Sequence, residues 1–187
     1  MEICFVRHGE TDWNKQKRLQ GITDIPLNET GVEQARVVAN YLQNKKFEAV
    51  FTSPLSRAKQ TAQVIADACN LPLTVLESFT ERSFGKAEGM TAEEIRANFT
   101  VGQYPDEEPI DDFIERIEKG LEHVKTNLQY NKVLIVAHGA VINRLLSIYS
   151  NGEIGTGKTI LHNTGLSYFQ STLDGWEITS YDQIEHL

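Results

Sequence analysis

The chain has 187 residues, 40% of them hydrophobic, and a formal net charge of −8. This length fits a single domain over residues 1–187, which would bury roughly two thirds of the surface of the unfolded chain. An acidic chain is poorly suited to general binding of nucleic acid or anionic membranes, so neither partner is expected. An anion site would therefore need a local cluster of Arg and His side chains.

The N-terminus has no basic region followed by a long apolar stretch, so no signal peptide is expected. No run reaches the roughly 18 apolar residues of a membrane span. We therefore expect a cytoplasmic protein in which Cys4 and Cys69 are buried thiols that form no disulfide. Nothing in the sequence fixes the oligomeric state, and a homodimer is compatible with it.

The first half of the chain alternates strand patterns with helix patterns. Short apolar runs, rich in β-branched and aromatic residues, predict strands at residues 3–6, 49–52 and 73–76. Asn28 or Thr30 is the predicted N-cap of the first long helix, and Ser53-Pro54 predicts an N-cap and a first-turn proline for the second. The polar segment 11–28 has little periodicity, and an irregular segment of this length usually serves a site.

The second half continues the alternation. Residues 92–98 predict a short helix within an acidic, lid-like segment at about 86–111, and an apolar stripe from Phe113 to Val124 predicts a long helix. A strand at 133–137 and a helix at 141–149 follow, and Asp174-Gly175 predicts a turn between two terminal strands. The pattern favours the α/β class: a three-layer α/β/α sandwich whose mostly parallel central sheet carries a C-terminal antiparallel hairpin or edge strand.

Two predicted strands end in His-Gly. Arg7-His8-Gly9 follows the first strand, and His138-Gly139 follows the strand at 133–137. Because open α/β sheets bind ligands at the carboxyl ends of their strands, the two imidazoles can meet at one edge. Arg7 offers a planar donor fork for phosphate or carboxylate, and Gly9 would let the backbone approach a ligand closely. Taken singly, each residue also fits a structural role, but their joint placement favours a phosphate pocket.

Further side chains fit the same edge. Arg57 lies near the start of the helix after Ser53-Pro54, where a helix N-terminus also attracts anions. Glu81 follows the third predicted strand and is the best candidate for a general acid, since cleavage of a phosphate ester must protonate the leaving oxygen. Glu77 and Glu88 are weaker candidates for that role.

Two other kinds of site are not favoured. The five histidines show no zinc-ligand spacing, and neither HExxH nor CxxC occurs, so no metal is expected. Residues 152–159 match the phosphate-loop pattern G-x-x-x-x-G-K-[ST], but no apolar strand precedes them and no helix pattern follows. We therefore interpret this match as chance.

The motifs around these residues resemble the signature of the histidine phosphatase superfamily, the phosphoglycerate mutase-like proteins, and the likeness covers most of the chain. The matching positions are Arg7-His8-Gly9-Glu10-Thr11, Trp13-Asn14, Gln20-Gly21, Pro26-Leu27, Gly31, Ser53-Pro54-Leu55-Ser56-Arg57-Ala58, Thr61-Ala62, Glu81-Arg82, Phe84-Gly85, Glu88-Gly89 and His138-Gly139.

The resemblance implies a role for each matching residue. His8 would be the nucleophile that forms a phosphohistidine, and Glu81 would protonate the leaving oxygen and later help to activate water. Phosphoryl oxygens would be held by Arg7, Arg57 and His138. The remaining substrate contacts would come from Asn14, Gln20, Gly21 and Gly139. Neutral His8 and protonated Glu81 are both required, so a bell-shaped pH profile is expected, and no cofactor is implied.

The same family contains mutases and phosphatases. Cofactor-dependent phosphoglycerate mutases resemble this chain but are longer between the acid Glu and the second His. Met90-Thr91-Ala92 stands where their loop typically continues with Asn-Lys, and the interval holds no adjacent Arg-Arg pair. A short, phosphatase-type member acting on small phosphorylated metabolites is thus favoured, with a cofactor-dependent phosphoglycerate mutase as the alternative. A non-catalytic binding module is disfavoured because His8, Arg57, Glu81 and His138 are all present.

Overall fold

A six-stranded sheet runs through the computed structural model, which describes residues 1–100, 102–127, 130–173 and 175–187. The strands are β1 (Glu2–Arg7), β2 (Ala49–Thr52), β3 (Leu73–Val75), β4 (Lys132–Ala137), β5 (Leu166–Ser171) and β6 (Trp176–Gln183). Their spatial order is β3-β2-β4-β1-β5-β6. β3, β2, β4 and β1 pair in parallel, whereas β5 pairs antiparallel to β1 and β6 antiparallel to β5.

Helices cover both faces of this sheet. They are α1 (Asp12–Lys15), α2 (Glu29–Leu42), α3 (Ser56–Cys69), α4 (Ala92–Asn98), α5 (Ile110–Asn127) and α6 (Gly139–Tyr149). In β1, Ile3 and Phe5 join the core beneath α5 and α6, while Cys4 and Val6 join the core beneath α2 and α3. Strands buried on both faces explain the unbroken apolar runs in the sequence. The predicted three-layer α/β/α sandwich is confirmed.

The predicted start of α3 was wrong by two residues. The helix begins at Ser56, and its N-cap residue Leu55 makes no side-chain capping bond. Asp24 caps the helix instead, accepting hydrogen bonds from the Ser56 N–H and from the Ser56 hydroxyl, both at 2.7 Å. A capping carboxylate from 32 positions away cannot be seen in the local pattern. The Ser53 hydroxyl oxygen accepts from the Leu55 N–H at 3.2 Å and makes a second contact, described below.

The segment 86–111 is tied to the chain before it. A 3₁₀ turn at Gly85–Ala87 precedes α4, and the Glu108 N–H donates to the Ser83 carbonyl at 2.9 Å. Arg82 pairs with Glu107 at 3.1 Å through side chains that are both mostly buried. A lid function for this segment remains a prediction.

The C-terminal hairpin and the two cysteines were also predicted from the sequence. β5 and β6 pair as an antiparallel hairpin, as predicted. Of its predicted turn, Asp174 lies outside the described residues. Both cysteines are free, Cys4 buried and Cys69 partly exposed. None of the helices over the described ranges is long and apolar enough to cross a bilayer.

Candidate active site

The two His-Gly pairs meet at the carboxyl edge of the sheet. β1 and β4 are parallel neighbours whose last residues, Arg7 and Ala137, are register partners. His8 and His138 therefore leave the sheet side by side, and their ring centroids are 5.2 Å apart. Both rings are almost completely buried. The convergence predicted from the strand ends is present.

His8 is held in one orientation by the backbone. Its Nδ1 lies 2.7 Å from the Gly9 carbonyl oxygen, so this nitrogen carries the proton and donates it. Nε2 is then the unprotonated nitrogen, with its lone pair available for attack. Burial, reinforced by the positive charges of Arg57 and Arg7, holds the pKa of His8 well below its usual value. The ring is thus neutral at physiological pH.

His138 lies behind His8 and does not reach the wall of the cavity described below. Its Nε2 is 2.7 Å from the Ser53 hydroxyl, and its buried Nδ1 has no partner among the described residues. Burial and the nearby Arg57 lower the pKa of His138 well below the usual histidine value. Its sequence-based role as a direct substrate contact therefore stays a prediction.

Two buried arginines supply positive charge. Arg57 donates to the carbonyl oxygens of Gly21 at 2.7 Å and Thr23 at 2.9 Å, and Arg7 donates to the Leu161 carbonyl. Neither guanidinium forms a salt bridge with a carboxylate in the described part of the chain, and the Nε atom of each lacks a partner. Burial lowers the pKa of both, but arginine stays charged in proteins. Carbonyl oxygens orient these cations without neutralising them.

Glu81 accepts hydrogen bonds from three backbone N–H groups. Ala140 and Val141 in the first turn of α6 donate at 2.9 and 3.2 Å, and Arg82 donates at 3.0 Å. Burial raises the pKa of Glu81, while these bonds and the charges of Arg57 and Arg7 act in the opposite direction. Burial prevails, so a proton is easier to place on this carboxyl than on an exposed Glu.

These groups surround a cavity of about 210 Å³. Eight of the predicted site residues line it: Arg7, His8, Asn14, Gln20, Gly21, Arg57, Glu81 and Gly139. Sequence reasoning missed four further lining residues: Arg18, Leu19, Phe84 and Ala140. None of the described residues in 86–111 is among the lining residues.

The irregular segment 11–28 is ordered by its own side chains. Thr11 and Asn14 form a reciprocal capping box at the start of α1, and the Thr11 hydroxyl donates to Gln20 Oε1 at 2.9 Å. Glu88, a weaker acid candidate in the sequence, accepts from the Ile22 and Thr23 N–H groups. These bonds occupy the Glu88 carboxylate in bracing the loop, whereas Glu77 lies in a 3₁₀ turn outside the cavity lining.

Gly9 packs closely against helix α2. A Cβ atom at this position would lie 2.5 Å from the carbonyl oxygen of Gly31 in α2. A Cβ on Gly31 would lie 2.1 Å from the carbonyl oxygen of Glu10. The pair of glycines lets α2 approach the loop that follows β1, and a role of Gly9 in access for a ligand stays a prediction.

Comparison with known proteins gives the family. The model of the histidine phosphatase superfamily (branch 1) matches residues 3–184. The chain belongs to this superfamily. The match spans both His-Gly pairs and every residue of the cavity, and the expected family is confirmed.

Similar members of the superfamily carry two kinds of name. A Bacillus subtilis protein named as an uncharacterized phosphatase, PhoE, is 42% identical over 185 residues, which are 99% of this chain and 96% of that one. A Yersinia pestis protein named as a probable phosphoglycerate mutase, GpmB, is 32% identical and covers 100% and 95% of the two chains. The solved structure of Bacillus stearothermophilus YhfR has a TM-score of 0.90 at 24% identity, covering 99% and 98%, and supports the fold.

Two features of the sequence remain to be described, the candidate metal ligands and the phosphate-loop match. Within the described residues, no three His, Cys, Asp or Glu side chains are arranged to hold a metal ion. The phosphate-loop match at 152–159 follows helix α6 and consists mainly of turns, not of a strand that leads into a helix. Its geometry differs from that of a phosphate loop.

Proposed function

We propose that the protein is a metal-independent phosphomonoesterase that hydrolyses small phosphorylated metabolites through a phosphohistidine at His8. The proposal is carried by one arrangement: a neutral imidazole fixed through Nδ1 lies on a cavity wall that also holds Arg7 and Arg57. A loose phosphoryl transition state mainly needs a positioned nucleophile and positive charge around its equatorial oxygens. Both requirements are met by residues of this chain.

In the first step, Nε2 of His8 attacks phosphorus while the bond from phosphorus to the ester oxygen breaks. Arg7 and Arg57 bind the phosphoryl oxygens, and their charge spreads over the transition state. Protonated Glu81 gives its proton to the leaving oxygen, which departs as an alcohol. A bound phosphate ester places further negative charge near Glu81, which favours the protonated carboxyl at this stage.

In the second step, water attacks the phosphohistidine. Glu81, now a carboxylate, accepts a proton from that water as the bond from phosphorus to Nε2 breaks. Inorganic phosphate leaves, and His8 returns to its neutral form. Splitting the displacement into two steps is the usual benefit of a covalent intermediate, and one carboxyl serves both because it alternates between acid and base.

Membership of the superfamily and the phosphatase name of the Bacillus subtilis relative support a phosphatase. The GpmB relative keeps a phosphoglycerate mutase as the alternative. A mutase would interconvert 2- and 3-phosphoglycerate, and its rate would rise with added 2,3-bisphosphoglycerate. A phosphatase would release inorganic phosphate without that stimulation.

The proposal is tested by a phosphate-release screen in the presence of EDTA across sugar phosphates, phosphoglycerates, nucleotides and α-ribazole phosphate. We expect release by the wild-type protein and by His123→Ala, a control on the exposed surface of α5, but not by His8→Ala. An alkaline quench followed by mass spectrometry should place a phosphoryl group on His8. Equal release by His8→Ala and the wild type on every substrate would refute the mechanism.

A further inference from the structure

A second cavity of about 250 Å³ adjoins the catalytic one, and both are lined by Phe84 and Ala140. Its other lining residues are Arg82, Phe113, Asn143, Arg144, Thr156 and Gly157. No acidic residue is among them, although the chain as a whole carries a net charge of −8. The charged residues of this lining are thus arginines, next to the proposed site of phosphoryl transfer.

The helix α6 presents Arg144 to this cavity. Asn143 and Arg144 lie three and four positions after Ala140, so the three residues share one face of the helix. The first turn of the same helix donates to Glu81. A ligand that spans the two cavities would therefore meet Arg144 on the side of Glu81, the proposed proton donor to the leaving oxygen.

Arg144 has no counter-ion within the described ranges of the chain. No carboxylate there forms a salt bridge with it, and its buried Nε has no hydrogen-bond partner. Arg82 and Arg144 line the same cavity, and burial together with the charge of Arg82 lowers the pKa of Arg144. Arg82 is already paired with Glu107 at 3.1 Å. Arg144 therefore keeps an uncompensated positive charge.

Arg116 is a structural arginine of the same fold, and its contacts differ from those of Arg144. Arg116 pairs with Glu108 at 2.6 Å and donates to three backbone carbonyls in the segment 78–81. Arg144 makes none of these contacts. A partly buried cation with no ion pair among the described residues is a candidate for ligand binding.

Loop 152–159, whose sequence resembles a phosphate loop, forms the far wall. The Thr156 N–H donates to the Asn143 carbonyl at 3.1 Å and ties the loop to α6. A Cβ atom at Gly157 would meet no other atom within 4 Å, so this wall faces open space. Asn143 Oδ1, buried and without a partner among the described residues, can accept a hydrogen bond from a ligand hydroxyl.

We propose that the second cavity binds an anionic group on the leaving part of the substrate, with Arg144 as the residue that recognises it. The inference rests on the proposed phosphomonoesterase function and names its substrate class. The substrates are phosphomonoesters whose alcohol carries a carboxylate. Arg144 is a specificity residue and takes no part in the bond-making steps.

The test uses two matched pairs of substrates that differ only in a carboxylate. They are 3-phosphoglycerate against glycerol 3-phosphate, and 6-phosphogluconate against sorbitol 6-phosphate. The wild type should prefer the acid by about tenfold or more in kcat/KM in at least one pair, since an ionic hydrogen bond contributes this much. Arg144→Gln should abolish that preference and change kcat/KM for the neutral partner by less than about twofold. Arg144→Lys should restore part of it.

Arg36→Gln is the control, because it removes one arginine charge from the exposed surface of α2. It should leave the preference unchanged. The proposal is overturned if Arg144→Gln affects both members of each pair equally, or if the wild type prefers neither acid. If no substrate releases phosphate, the phosphatase proposal fails separately. In that case, calorimetry measures the binding of the same four compounds to the wild type and to Arg144→Gln. The subsite proposal holds if the substitution weakens binding of an acid but not of its neutral partner, and it fails if the substitution weakens both or neither.

Discussion

The hydroxyl oxygen of Ser53 lies 2.7 Å from Nε2 of His138, and both side chains are fully buried. The contact follows from the sheet, because β2 and β4 are parallel neighbours and Thr52 is in register with Val136. Ser53, the first residue after β2, therefore lies next to His138, the first residue after β4. Ser53 thus fixes the ring of His138, which packs against His8.

Removing this hydroxyl should destabilise the fold. Ser53→Ala leaves Nε2 of His138 buried without a partner, and we expect a loss of about 1–3 kcal/mol in the free energy of unfolding. Urea denaturation measures the loss, with Ser56→Ala as the control. The Ser56 hydroxyl bonds Asp24 at an exposed position, so that variant should lose less than about 1 kcal/mol. Similar losses in both variants would contradict the structural role of Ser53.

The contact between Gly9 and Gly31 gives a second prediction. Because an added Cβ would lie 2.5 Å or less from a backbone oxygen at either position, Gly9→Ala and Gly31→Ala should each cost about 1–3 kcal/mol through overpacking. Gly139→Ala is the matched control, since its Cβ would meet Arg7 Nε at an ordinary 3.8 Å. Thermal unfolding of the three variants tests this prediction. A lower Tm for Gly139→Ala than for Gly9→Ala would contradict our interpretation.

The fold was readable from the sequence because its central strands β1, β2 and β4 are buried on both faces. The runs at 3–6 and 133–137 have no polar interruption, and only a sheet with helices on both sides hides such runs. The meeting of His8 with His138 followed from the same reasoning, since parallel neighbours end at one edge. Each of these predictions used a residue pattern confined to a few consecutive positions.

Contacts between distant segments could not be predicted in this way. Asp24 caps α3 because segment 11–28 folds back on the helix. Arg18 and Phe84 were missed as cavity residues, since neither belongs to a periodic pattern. The signal for Arg144 was its spacing from Ala140, which gains meaning only once the helix is known to begin at Gly139.

Arg116 positions the segment that carries Glu81. Its guanidinium donates to the carbonyls of Ser78, Thr80 and Glu81 and forms a two-pronged pair with Glu108. Lysine cannot reproduce this planar fork, so Arg116→Lys should lower the free energy of unfolding by about 2–3 kcal/mol. It should also lower kcat/KM more for an alkyl phosphate, which needs the Glu81 proton, than for p-nitrophenyl phosphate.

Lys119→Ala provides the comparison for Arg116. It breaks an exposed pair with Glu115 on the same helix, and such pairs contribute at most about 0.5 kcal/mol. Its free energy of unfolding, measured by urea denaturation, and its kcat/KM for the two substrates should therefore be close to the wild-type values. If Arg116→Lys affects both substrates equally, Arg116 supports the fold without positioning the acid.

The pKa shifts of His8 and Glu81 predict the shape of the pH profile. In the proposed mechanism His8 is active when neutral, and its lowered pKa moves the acidic limb of kcat/KM below the usual titration range of histidine. Glu81 is active when protonated, and its raised pKa moves the alkaline limb above the usual range of glutamate. Activity should therefore fall as pH rises through the raised pKa of Glu81 and as it drops through the lowered pKa of His8.

Glu81→Gln assigns the alkaline limb. Without its general acid, the single-turnover release of an alkyl alcohol should slow by about 10²–10⁴-fold. Release of p-nitrophenolate, which leaves without a proton, should keep most of its rate as a burst, followed by slow hydrolysis of the phosphohistidine. Glu77→Gln, outside the cavity lining, should retain both rates and both limbs. If Glu81→Gln slows the p-nitrophenolate burst as strongly as alkyl release, Glu81 serves substrate binding and the proton comes from another group.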